Sequence, residues 1–512
     1  MTQNQLSINY LEEKKTNKIT NYAGVLPILD FCIKTNIFQF ADKTLQVRSD
    51  GEQGWLDSQH FLSTLLINFI GGSCMSDVDI LESDTGLKSA ISNKESSFVN
   101  LKRNIVLNRF RKGRTRVFPS NNALHNYALE FHNASEEEVR KCYIERKEAF
   151  IPKLNDNFKK LNKFFGHLAS FAQKNNPVNT ATIDIDATIK NTNKQSAFYT
   201  YKKDSRGYQP LNAYWHEQQM VLFSEFRDGN VNPNYNIPEF VEKSFSYLPN
   251  SVKKRYLRSD SAGYNSDLMS YCDNNDIKFS ISSKIYESIR EEIKVIENKE
   301  WAKINQSMEQ VLKNKNNTDK ERWEWAEINH IPDNPKGEGF RYIAVRNKII
   351  EQKPLFEAQN NNKETEEEKE NNKKQYTKDG SKYSIRVIVT NRTDLTGEEL
   401  FHWHNKRCGY SEQIHSVMKS EFAGSQFPSG KFGANAFWWI MMIFSLNIVQ
   451  LYKNLILDNS WKTRRMKAFR LHFVYLAGRV TTRAKSLFIY VRNITLFKKL
   501  TRRIENLKWS PI

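Results

Sequence analysis

From Phe432 to Tyr452 the chain runs for 21 residues without a charged side chain. A helix of that length is roughly 30 Å long and must be shielded from water, by a bilayer or by protein. Asn435, Ser445, Asn447 and Gln450 interrupt the run, and no second run like it occurs. The expectation is therefore a buried helix in a large core, with no membrane. At 512 residues the chain can bury such a core and has room for two to four domains.

The formal net charge is +19. A surplus of that size points to a polyanionic partner, nucleic acid before an acidic membrane surface. Much of it lies late in the chain: between Lys453 and Ile512, 15 Lys and Arg stand against 2 acids, a net of +13. Phe469, Phe473, Tyr475, Leu476, Leu487 and Phe488 interrupt these charges at spacings that predict amphipathic helices with a basic face. The cysteines (Cys32, Cys74, Cys142, Cys272 and Cys408) are odd in number and form no CxxC pair. That argues against a disulfide framework or a zinc ribbon and fits a reducing cytosol. The opening MTQNQLSINYLEEKK lacks the apolar stretch of a signal peptide.

The patterning predicts an α/β chain. Residues 1–150 read as helical, with apolar runs such as GVLPILDFCI and FLSTLLINFIGG. There a basic segment breaks at Pro119, and Ser120 is placed to cap a helix carrying Leu124, Tyr127, Ala128 and Phe131. A helix-turn-helix on DNA is compatible with that pair. Within 151–285 the pattern changes to strands at about 178–284, in the order strand-strand-strand-helix-strand-helix-strand from ATIDIDATI through KRYLRSD to IKFSISSKI. Residues 286–394 read as an insertion with strands of its own. It carries Trp323 and Trp325 and a low-complexity loop at about 358–382. Residues 395–455 return to helices, and 456–512 are expected as basic helices.

Asp186 lies in a strand with apolar neighbours and Asp260 ends another. Ionised carboxylates there are costly unless paired or bound to a cation. Two brought together would repel, and a hard divalent ion such as magnesium relieves that repulsion. Glu412, His415 and Lys419 share one helical face, which suits a third carboxylate and a phosphate-pairing lysine; a solvated polar stripe gives the same spacing. Asp184 faces the same side of its strand as Asp186 and remains an alternative to it.

The segments IDIDAT, RDGNV, LRSDSAGY, IVTN, SEQIHSVMK and FPSGKFGANAFWW resemble, in order, the insertion-sequence transposases of the DDE class, in particular the group typified by IS-thirteen-eighty. The resemblance covers about residues 180–455. It implies a ribonuclease-H-like mixed-sheet catalytic core interrupted by a β-containing insertion domain, with helical N-terminal and C-terminal DNA-binding regions. Asp186, Asp260 and Glu412 match the catalytic, metal-binding triad; Asp186-Ala-Thr188 fits the family pattern better than Asp184. Lys419 matches the lysine of the Tyr-x2-Arg-x3-Glu-x6-Lys signature. The tyrosine position is His404 here, and Arg407 precedes Glu412 by four intervening residues instead of three.

The implied function is cutting of terminal inverted repeats and joining of the 3′-hydroxyls to target DNA. It would use two Mg2+ ions, with Mn2+ able to substitute, in a homodimer on double-stranded DNA in the bacterial cytoplasm, at the nucleoid. A catalytically inactive DNA-binding descendant of such an enzyme is the alternative. Arg407, Arg258 and the Lys202–Lys203 pair are candidate phosphate contacts. Trp323 and Trp325 are candidates to stack on a flipped base, as in some related transposases, against the commoner fate of core packing. His216 and His415 read as structural.

Overall fold

The computed structural model describes residues 18–99, 103–110, 113–146, 148–200, 205–305, 323–330, 339–349, 374–422, 426–483 and 486–510; at 96–98, 103–105 and 408–412 only the backbone is described. The chain forms two compact units. One gathers residues 18–132, 154–161 and 420–510; the other gathers 133–153 and 162–419.

The second unit is built on a large mixed sheet. Its centre is β1 (Thr180–Ala187), β2 (Leu211–Trp215), β3 (Met220–Glu225), β4 (Lys254–Ser259) and β5 (Ile277–Ser282). In space they run β3-β2-β1-β4-β5. The β1–β2 and β2–β3 pairs are antiparallel, and β4 and β5 run parallel to β1. Helices α1 (Ile237–Ser246) and α2 (Ser266–Asn274) follow β3 and β4 and pack on β3 and β5. Phe240 of α1 meets Phe223 of β3 at 5.3 Å between ring centres. β1 is buried almost from end to end, as expected of a central strand covered on both faces.

That burial would be untenable for Asp184 without a partner. The parallel register sets it beside Arg258 of β4, whose guanidinium grips the carboxylate at 2.6 and 2.8 Å. Burial alone would raise the Asp184 carboxyl, but the nearby His216 imidazole and the bonds from Arg258 outweigh it and hold the group below the usual carboxylate range. Arg258, at bonding distance, is the stronger partner; His216 stands 3.7 Å away.

Beyond β5 the sheet continues through β6 (Ala302–Lys303), β7 (Trp323–Ile328), β8 (Arg341–Lys348), β9 (Gln375–Lys378) and β10 (Ser381–Thr390). β10 pairs antiparallel with β5, so the strands of the expected insertion extend the central sheet. Residues 374–382, expected as the end of a loop, instead form β9 and the turn into β10, where Asp379 and Gly380 both take positive φ. Residues 358–373 of that predicted loop lie outside the described residues. Among the described residues, the charged run after β5 gives the helix α3 (Glu287–Val295), a single 3-10 turn at Asn298–Glu300 and then a short extended stretch. Two further helices follow β10: α4 (Gly397–Asn405), capped by Thr396, and α5 (Arg407–Ser420).

In the first unit the uncharged run forms the helix Phe432–Leu455. It is long and apolar enough to cross a bilayer, yet its apolar window is entirely buried within the protein. It packs against helices Val25–Lys34, Asp57–Phe69 and Asn121–Leu129. Phe437 stacks on Phe131 at 4.5 Å, and Tyr452 meets Phe31 edge-on at 5.4 Å. Two of its polar interruptions are bonded within the protein: the Asn435 amide donates to the Ser429 carbonyl and Ser445 to the Met441 carbonyl. Expected as part of the catalytic half, this helix lies in the unit formed by the chain ends. Ser120 caps helix Asn121–Leu129 as predicted, and the apolar face of that helix is buried. The basic C-terminal segment differs from expectation. Gly478–Arg483 and Ser486–Val491 form a hairpin that pairs with Lys18–Thr20, and the helix Ile494–Glu505 follows. The stretch Ser486–Val491 is a short apolar run rich in β-branched and aromatic residues, a composition that favours a strand over the surrounding helical spacing.

Two measurements test these packing arguments. Arg258→Ala would strand Asp184 in the sheet and should cost about 3–5 kcal/mol in a denaturant titration. Since the Asp184 carboxyl is depressed, the pair's contribution is complete at neutral pH and fades as pH falls below the ordinary carboxylate range. A Cβ at Gly397 would collide with the Trp325 ring, so Gly397→Ala should destabilise by about 1–3 kcal/mol in the same assay.

Candidate active site

Ile185 and Ser259 are register partners across the parallel β1–β4 pair. One residue further on, Asp186 and Asp260 therefore stand side by side at the carboxyl ends of neighbouring strands. Both open into a cleft of about 580 Å3, lined also by Thr188, Lys284, His415 and Lys419. The short turn Ser261–Gly263 fixes Asp260, whose Oδ1 accepts from the Ala262 amide at 2.9 Å. Gly263 is required there because a Cβ would run into the Ser259 side chain.

Burial, with the nearby charge of Asp186, raises the Asp260 carboxyl above its ordinary range, and the Arg407 guanidinium opposes the shift. Two acids facing one cleft, one of them with its charge opposed by burial and by the other, suit a hard divalent cation. Among the described residues no group of three His, Cys, Asp or Glu side chains forms a metal site. Glu412 lies on α5 three residues before His415; its side chain lies outside those described.

His415 brings α5 to the site. Its Nδ1 lies 3.0 Å from Asp186 Oδ2, and its Nε2 is 3.5 Å from the Asn212 amide nitrogen. Asn212 Oδ1 in turn accepts from Ser224 at 2.7 Å. That relay favours the tautomer with the proton on Nδ1, which then donates to Asp186. Lys419, one turn beyond His415, faces the same cleft. Lys190 lies close by: burial, with Lys419's charge added, pushes its amine down to about 7.

The other residues singled out by sequence fare differently. Arg258, expected to meet phosphate, is buried against Asp184 and the Trp403 carbonyl. Asp184 is thereby committed, which leaves Asp186 as the acid of that strand facing the cleft. Trp323 and Trp325, candidates for base stacking, pack on a cluster that includes Ile343, Val345, Leu400 and Phe401, and neither lines the cleft. His404, at the signature's tyrosine position, lies between Ser280 Oγ at 2.8 Å and Ser282 Oγ at 3.0 Å; burial pushes it down to about 3, so it is neutral. Arg407 Nε is buried with no hydrogen-bond partner among the described residues, near enough to Asp260 to act on its charge. Lys202 and Lys203 lie outside the described residues.

Sequence reasoning missed three contributors. Lys284 enters the cleft just past β5. Asn212 supports His415 from β2. Asn234 donates to the Ala262 carbonyl at 2.7 Å and so braces the turn after Asp260. Only Asn234, in the Asn- and Pro-rich stretch after RDGN, carried a local signal; the other two depend on strand pairing.

No curated protein matches the chain. A solved structure described as the cryo-EM structure of piggyBac transposase synaptic complex with hairpin DNA aligns with 95% of this chain and 86% of its own, at 10% identity and a TM-score of 0.40. That likeness is too distant to carry an argument. The family described as Transposase DDE domain group 1 matches residues 12–509, nearly the whole chain. The protein therefore belongs to the group 1 DDE-domain transposases.

Proposed function

We propose that this transposase binds the terminal inverted repeats of an insertion sequence, cuts the ends and joins the freed 3′-hydroxyls to target DNA. The observation that carries the reading is the pairing of Asp186 and Asp260 at adjacent strand ends, in one cleft with Lys419. The order β3-β2-β1-β4-β5, with β2 running opposite to the other four, supports a ribonuclease-H-like core. The ordered sequence blocks support the group typified by IS-thirteen-eighty.

Asp186, Asp260 and Glu412 would hold the divalent metal, two ions in this reading, with magnesium favoured by all-oxygen ligands and manganese able to substitute. Bound there, the metal would supply an activated water or hydroxyl and stabilise the leaving oxygen of a phosphodiester. The chain's own residues do the rest. His415 holds the Asp186 carboxylate through Nδ1. Lys419 and Lys284 bring positive charge to the cleft wall, where a phosphate would sit. Arg407 keeps Asp260 closer to its ionised form. The basic C-terminal segment supplies further charge for the DNA backbone. Two ends cut in concert call for a homodimer on DNA, in the cytoplasm at the nucleoid. An inactive DNA-binding descendant is the lesser reading, because the two strand acids still face the cleft together.

Asp186→Asn, Asp260→Asn and Glu412→Gln should each abolish cleavage of a DNA fragment carrying the element's ends while leaving binding to it within about twofold. Full cleavage by any variant would remove that residue from the triad. A readout independent of activity is thermal melting. Millimolar Mg2+ or Mn2+ should raise the Tm of the wild type and leave that of Asp186→Asn nearly unchanged. An equal rise in both would place the metal elsewhere.

A further inference from the structure

The C-terminal hairpin shows a face that folding does not explain. In Ser486–Val491 the side chains alternate: Leu487, Ile489 and Val491 are half-buried, while Ser486, Phe488 and Tyr490 point outward. Phe488 is 47% exposed and Tyr490 44%. A half-covered sheet ordinarily places polar residues on its outer face. Here two aromatic rings occupy it, on a strand whose far edge is unpaired among the described residues.

The neighbours are basic. Arg479 is the register partner of Tyr490 and lies over its ring at 4.6 Å. Arg483 and Ser486 pair at the other end of the ladder, and Arg492 follows the strand, both arginines exposed. A surface of flat rings flanked by guanidinium groups complements a partner that is both anionic and aromatic, which describes nucleic acid. Spacing selects the form. Residues two apart on a strand stand about 6.8 Å from each other, twice the ~3.4 Å rise of a stacked duplex. Successive bases meet both rings only when they are unstacked and the strand is extended.

We infer that the outer face of this hairpin is a binding platform for single-stranded DNA, on which Phe488 and Tyr490 stack successive unpaired bases and Arg479 and Arg483 hold the intervening phosphates. The assignment of those nucleotides to the opened ends of an element rests on the transposition reading; the platform itself does not.

The test uses the full-length protein and three probes: a 20-nucleotide oligo(dT), a 20-base-pair duplex, and phosphatidylserine vesicles. Phe488→Ala and Tyr490→Ala should each weaken oligo(dT) binding about tenfold and duplex binding by less than twofold. Tyr490→Phe should retain wild-type affinity. Arg479→Ala should reduce the slope of log affinity against log salt by about 0.7. Circular dichroism and melting curves matching the wild type establish that the variants are folded, as expected for exposed side chains. Unchanged oligo(dT) affinity in the folded alanine variants would overturn the platform. So would equal losses on oligo(dT) and duplex, or a loss confined to the vesicles. Asp186→Asn separates the two ideas: it should bind oligo(dT) normally whether or not it cleaves.

Discussion

The ion pair between Asp184 and Arg258 lies where the two central parallel strands meet, and the rest of the site takes its geometry from it. A buried guanidinium gripping a carboxylate with two bonds permits one register between β1 and β4. Slipping one residue would separate the charges inside the sheet and turn the side chains of one strand to the opposite face. With the register fixed, Asp186 and Asp260 have to emerge together. Arg258 also donates to the Trp403 carbonyl, tying α4 to the sheet and setting where the next helix delivers His415. A residue that touches no substrate thus aligns elements contributing three groups to the cleft.

Around this anchor the acids divide their work by environment. Asp184 has its charge fully compensated and serves structure. Asp260 carries the opposite balance, its ionised form opposed by burial and by Asp186. Such residual frustration in an otherwise well-satisfied sheet marks a place shaped for something other than stability. The cations sort the same way: Arg258 is buried and committed, while Lys419 and Lys284 line the open cleft.

Much of this was legible in the sequence because it is local. Alternation in ATIDIDATI marked the central strand, Ser120 marked a cap, and the uncharged run marked a core helix; each signal resides within one element. The preference for Asp186 over Asp184 came from family resemblance, and the structure adds a physical reason in the bond to Arg258. What sequence could not deliver depends on pairing across long separations. Arg258 read as a phosphate contact because its partner lies 74 residues away. The tryptophans read as stacking candidates because the cluster they cover is assembled from β8, β10 and α4. The C-terminal hairpin was hidden because dense basic charge and helical spacing on either side masked a short run of β-branched and aromatic residues. The departures at His404 and Arg407 acquire content only in place: one is a neutral histidine between two serines, the other a guanidinium acting on Asp260.

The helix Phe432–Leu455 also sets the order in which the protein can come into being. Its partners, the helices between Val25 and Leu129, leave the ribosome roughly 300 residues earlier. At typical synthesis speeds of about 5–20 residues per second, that interval is roughly 15–60 s. For that time the N-terminal helices have no covering for the surface that Phe437, Trp438 and their neighbours will bury, whereas residues 162–419 are synthesised as one continuous stretch and can close as soon as they emerge. The last unit to be completed is therefore the one whose first half was made at the outset. Every newly made molecule therefore carries that apolar surface uncovered until the helix Phe432–Leu455 has been made.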